Sequence, residues 1–175
     1  WVIFEAIDGD FTVGRYVGKN GTGCRGGNPK WSCDEIDLTL GQGSSIAIGP
    51  SGNAWASYGG GGQDLFVAEF VGSGGTGCGA GGSTAWTCTE IYTGDFNSSD
   101  IAVDDTGKVW ISALDETAGD LIVAEFVGTG GSGCFSGTAW RCVVVDNDAG
   151  TTSKNQKVTA IVLDDTNNPS IFYED

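Results

Sequence analysis

Short apolar runs of five to eight residues recur along the chain, separated by clusters of Gly, Asp, Asn and Ser. Within the runs, apolar positions either alternate or are continuous, and no segment has the 3.6-residue period of a helix. This pattern predicts β-strands bounded by tight turns. The run at 65–71 is apolar on both faces, with Leu65, Val67 and Val71 on one side and Phe66, Ala68 and Phe70 on the other. Such a strand needs a packed layer on each side. These runs are far too short to cross a bilayer.

The runs repeat. Phe11-Thr-Val-Gly-Arg-Tyr-Val-Gly18 aligns with Leu65-Phe-Val-Ala-Glu-Phe-Val-Gly72 and with Leu121-Ile-Val-Ala-Glu-Phe-Val-Gly128. A glycine-rich loop follows each and ends at Cys24, Cys78 or Cys134. A tryptophan then stands two residues before a second cysteine: Trp31 and Cys33, Trp86 and Cys88, Trp140 and Cys142. The interval is 54 to 56 residues. Self-similarity at such a period is the mark of a repeat architecture.

Each unit is expected to hold four strands. Strand A falls at 45–48, 101–103 and 158–163, and strand B at 54–58, 109–113 and 170–173. Strand C is the aligned run above, and strand D falls at 33–40, 88–93 and 142–146. The turn between A and B carries Gly, Asn and Asp, residues that tolerate the left-handed conformation of a hairpin turn. The expectation is one all-β repeat domain over 1–175, with antiparallel four-stranded units at roughly 1–43, 44–99 and 100–150 and a partial unit at 151–175.

The stretches Ser45-Ile-Ala-Ile-Gly-Pro-Ser-Gly-Asn-Ala-Trp-Ala-Ser-Tyr58 and Ile101-Ala-Val-Asp-Asp-Thr-Gly-Lys-Val-Trp-Ile-Ser112 resemble repeats of extracellular β-propellers. Asp105-Thr-Gly-Lys-Val-Trp110 also resembles the core of the Asp-box hairpin of sialidase-like propellers, although Val103 stands where that motif has its leading serine. The resemblance implies blade-like units over nearly the whole chain. It implies little about activity, because propellers host many functions.

Composition narrows the possibilities. Glycine supplies 31 of 175 residues, more than twice the usual share of about 7%, as suits a protein of many turns. With 23 acidic and 8 basic residues the net charge is −15, which opposes nucleic acid and anionic membranes as partners. The six cysteines are spaced for local disulfides, each closing one glycine-rich loop, and their even number agrees with an oxidising compartment, extracellular or at the cell surface. The chain starts at Trp1 inside a predicted strand, the expectation being a processed product or a piece of a longer chain. Trp31, Trp86 and Trp140 are expected to pack over the disulfides or neighbouring strands; the alternative is a row of rings stacking on sugars.

No catalytic constellation is legible. Histidine is absent, which removes Ser-His and Cys-His nucleophiles. Arg15, Arg25 and Arg141 are the only arginines, too scattered for the cluster of a sialidase. Paired acids would suit glycoside hydrolysis, yet Glu69 and Glu125 occupy the repeat position of Arg15, which points to architecture. Asp8 with Asp10, Asp115 with Asp120, and Asp146 with Asp148 are weak calcium candidates without EF-hand spacing, so no cofactor is expected. Asn20 and Asn97 head sequons and are candidate glycan acceptors in predicted loops.

The strands count as B-C-D, A-B-C-D, A-B-C-D and A-B. Unmatched strands need completion, because exposed edges recruit further strands. The expectation is a non-catalytic structural subunit that self-associates head to tail through strand complementation, a contact that makes filaments when it does not close. The rivals are a six-bladed ring of two chains, a small barrel or propeller closed within one chain, a glycan-binding lectin-like propeller and a glycosidase-like fragment.

Overall fold

The computed structural model describes residues 1–6, 8–38, 42–60, 62–79, 81–135, 137–149 and 158–174. These residues form strands and turns only, in four antiparallel sheets. The first sheet holds β1 (Val2–Glu5), β2 (Phe11–Tyr16) and β3 (Trp31–Asp37), in that order. The second holds β4 (Gln42–Ile48), β5 (Ala54–Gly59), β6 (Leu65–Phe70) and β7 (Trp86–Tyr92). The third repeats it with β8 (Phe96–Val103), β9 (Val109–Asp115), β10 (Asp120–Phe126) and β11 (Trp140–Asp146). The fourth is a hairpin of β12 (Thr159–Leu163) and β13 (Pro169–Tyr173). Neighbours in sequence are neighbours in each sheet, and the described residues do not close into a barrel or ring.

The predicted strands are all present, with shifted ends. Each D strand starts two residues early, at the tryptophan, because Trp31, Trp86 and Trp140 pair in register with Tyr16, Phe70 and Phe126. The A strands β4 and β8 reach back to Gln42 and Phe96. Leu40, expected at the end of the first D strand, lies outside the described residues.

The sheets pack face on face, and strand C is buried on both sides as its composition requires. Leu65, Val67 and Ala68 in β6, and Leu121 through Ala124 in β10, are all buried. Between the first and second sheets, Phe11, Val13 and Ile36 meet Ala56, Tyr58 and Ala68. Between the second and third, Leu65, Val67 and Ile91 meet Ile122, Ala124 and Trp140. Leu114 and Leu121 receive Ile171 and Tyr173 of the hairpin. Full burial of one such aliphatic or phenyl side chain contributes about 1.5–3 kcal/mol.

The A strands β4, β8 and β12 are neighbours, and polar side chains join them. Asp100 accepts from the Ser45 hydroxyl at 2.6 Å and from the Ile161 amide at 2.8 Å, so one carboxylate of β8 holds β4 on one side and β12 on the other. The Ser57 and Ser99 hydroxyls meet at 3.0 Å, and Thr159 meets Ser112 at 2.9 Å. Buried hydroxyls satisfied in this way avoid the penalty of an unpaired polar group.

Candidate functional site

The three disulfides join Cys24 to Cys33, Cys78 to Cys88 and Cys134 to Cys142, with Cα separations of 5.1, 5.1 and 4.9 Å. Each pins a glycine-rich loop beside its own D strand. In two units the loop also reaches the D strand of the preceding unit. The Ser83 amide donates to the Glu35 carbonyl at 3.0 Å, and the Phe135 amide donates to the Ile91 carbonyl at 2.8 Å. The loops cover Ile36 and Ile91, both 0% exposed. Val145 holds the same repeat position in β11 and is 56% exposed.

A second series runs through the aromatic rings. Trp1 meets Phe70 and Trp86 of the second sheet edge-on, at 4.9 and 5.9 Å between ring centroids. Trp55 meets Phe126 and Trp140 of the third sheet at 5.8 and 6.5 Å. Trp110 is the next member. Its indole Nε1 is buried without a hydrogen-bond partner, and the Lys108 ammonium lies 5.4 Å from its ring. Beside it, Glu125 takes Lys108 at 2.8 Å and Arg141 at 3.0 Å. Glu69, at the same repeat position, sits on β6, and its carboxyl is pushed above the usual range by burial.

The outward face of the first sheet is the complementary surface. Register places Phe4, Thr12 and Glu35 on one face, while Phe11 and Val13 turn to the second sheet. Phe4 is 37% exposed, whereas Tyr58, its repeat equivalent, is 0% exposed under the preceding unit. Phe4, Thr12, Arg25, Cys33, Glu35 and Ser83 line a groove of about 380 Å³. Phe66 of the second unit stands at the position of Thr12 and stacks on Tyr58 at 5.7 Å; the smaller threonine leaves that space open. On its rim Arg25 donates to both oxygens of Asp8, which holds the Asp8 carboxyl below its usual range.

Of the residues singled out in the sequence, Trp86 and Trp140 are 0% and 2% exposed, so neither ring offers a face for stacking on sugar, and Trp31 is half-buried. The two sequons separate. Asn20 lies in an exposed loop with a left-handed backbone, φ 60°. Asn97 lies inside β8 rather than in a loop, accepting from Gln63 at 2.8 Å and donating to Asp95. In the turn likened to an Asp-box, Asp104 rather than Asp105 organises the backbone. Burial pushes its carboxyl up, but bonds from the Thr106 hydroxyl at 2.6 Å and from the Lys108 and Thr106 amides, both at 2.8 Å, outweigh it and hold the carboxyl below the usual range. Asp164 repeats the arrangement through Asn168 and Thr166, which bring it to about 2. Asp105 instead accepts from Asn167 across the seam.

The calcium candidates are engaged elsewhere: Asp8 and Asp10 face Arg25, Asp115 accepts from the Thr117 and Ala118 amides, and Asp146 accepts from Tyr173 at 2.6 Å. Among the described residues no group of three or more metal-ligating side chains converges, and no helix is long and apolar enough to cross a membrane. No family model matches the chain, and no curated protein matches it. Phe4 and Val145 are exposed members of series whose other members are buried, and neither is singled out by the strand pattern. The repeat alignment carried that signal, because each stands where its counterparts are covered.

Proposed function

We propose that this chain is a non-catalytic structural subunit of an extracellular or cell-surface assembly, its sheets arranged as propeller-like blades and joined head to tail by strand complementation. The observation that carries this reading is the open position at Val145, whose counterparts Ile36 and Ile91 are fully covered by the loop of a following unit. A surface used twice inside the chain is thereby presented a third time. The end strands support the same reading. Ile171-Phe-Tyr-Glu174 repeats the character of Val2-Ile-Phe-Glu5, and both are B strands. β2 is held on both edges, by β1 and β3, so β13 would take the place of β1 on β2 and displace it, bringing β12 as the A strand that the first sheet lacks among the described residues. Main-chain pairing supplies the affinity and the alternating side chains the register. Three disulfides suit an oxidising compartment.

Electron microscopy of the non-reduced protein, with its mass in solution, tests the proposal. The expected result is threads with a regular repeat, whose growth stops when residues 158–175 are deleted. Discrete monomers or closed dimers overturn it.

A further inference from the structure

Resting on that head-to-tail reading, we infer that the partner at the Val145 face is the Cys24–Cys33 loop of a second copy, and that Arg25 of the incoming loop seats against Asp146 of β11. The internal junctions fix this pairing. The residue after the first loop cysteine abuts the residue four beyond the second cysteine of the preceding unit. At the first junction these are Gly79 and Asp37, where a Cβ on the glycine would lie 3.1 Å from the carboxylate. At the second they are Phe135 and Tyr92, which line one small cleft. The next pair in the series is Arg25 and Asp146.

The side chains change in step. A glycine leaves room for a carboxylate, two aromatic residues share a cleft, and the third position sets a guanidinium against a carboxylate. The third pairing is the only one of opposite charge, and it is the one that would join two chains. Within one chain the Arg25 side chain is 43% exposed and, among the described residues, is paired with Asp8, Asp10 and Glu35 of its own unit, and Asp146 accepts from Tyr173 through one oxygen and from the Asp148 amide through the other. Docking in the internal geometry also brings Tyr16 and Trp31, edge-on at 5.4 Å, to the ring of Trp110, completing the series begun by Trp1 and Trp55. Tyr16 is 57% exposed, as an unfilled aromatic site would be.

Charge reversal separates this contact from other modes of assembly. Arg25→Glu sets two acids against each other, and Asp146→Arg sets two guanidiniums against each other. Each variant alone is expected to raise the concentration needed for assembly by about tenfold or more, the effect of losing a close charge pair. Mixed in equal amounts the two variants restore both contacts along an alternating polymer, and the double variant Arg25→Glu/Asp146→Arg assembles by itself. Circular dichroism of each single variant checks that it remains folded. Wild-type protein that assembles alongside single variants that assemble equally well overturns this contact while leaving head-to-tail assembly standing. Single variants that fail without rescue on mixing overturn it too. Wild-type protein that stays monomeric overturns both.

Discussion

The Tyr58 hydroxyl donates to Asp37 at 3.1 Å across the junction of the first two sheets, and both residues are buried. Burial and the neighbouring carboxylate raise the tyrosine's pKa well above its ordinary value, so the phenol stays a donor throughout the accessible pH range. Tyr58→Phe keeps the ring contacts with Phe11 and Phe66 and removes only the donor. The expected loss is about 1.5–3 kcal/mol, the net contribution of one hydrogen bond to a carboxylate. Urea unfolding measures it, and a loss below the error of the midpoint would show that the bond is replaceable.

Asp100 joins three sheets through Ser45 and Ile161. Asp100→Ala is expected to destabilise the protein by about 2–3 kcal/mol, since two charge-assisted bonds disappear together. Amide exchange at Ile161 should accelerate more than exchange in β6. Equal acceleration everywhere would mean that the carboxylate supports the whole fold rather than the attachment of the hairpin.

The Cys78–Cys88 bridge closes a short loop that also covers Ile36 of the preceding sheet. Replacing both cysteines with alanine is expected to cost about 2–3 kcal/mol by the loop-entropy argument. A hydrophobic dye should also gain a site at the uncovered Ile36. If dye binding does not change, the loop holds its place without the bridge.

Acid should loosen the last hairpin. The Tyr173 hydroxyl and then the Asp148 amide hold the folded pKa of Asp146 below its ordinary 3.8. The contribution is therefore fully present above that value and lost as pH falls through the lower folded pKa. The protection of the Phe172 amide, taken relative to an unfolded chain at the same pH, should fall on acidification from pH 5 towards about 2. Tyr173→Phe should flatten this dependence; an unchanged profile would assign the loosening to other acids.

Much of the fold was legible because apolar repetition and paired cysteines are both explicit in the residues. The C strands, the local disulfides and the hairpin turns follow from them directly. The backward extension of β4 and β8 was hidden, because Gly43, Ser44, Ser98 and Ser99 look like loop residues. They sit in strands because partners on neighbouring sheets satisfy them, as when Ser99 donates to the Gly43 carbonyl at 2.8 Å. For the same reason Asn97 looks like a loop residue although it lies in β8. The choice of Asp104 over Asp105 depended on backbone geometry, which two adjacent aspartates cannot reveal. The exposed positions of the candidate interface were implicit in the alignment, but exposure is a property of neighbours, and only the packing of sheets shows which repeat positions are covered.

The polar seam along β4, β8 and β12 has a mechanical consequence. Hydrogen bonds are short-ranged and directional, whereas an apolar face permits sliding before contact is lost. A force parting the sheets loads Ser45, Asp100, Thr159 and Ser112 together, so the bonds share the strain and yield as a group. Resistance to pulling is thus concentrated along β4, β8 and β12, while the glycine-rich loops before the D strands are left to bend.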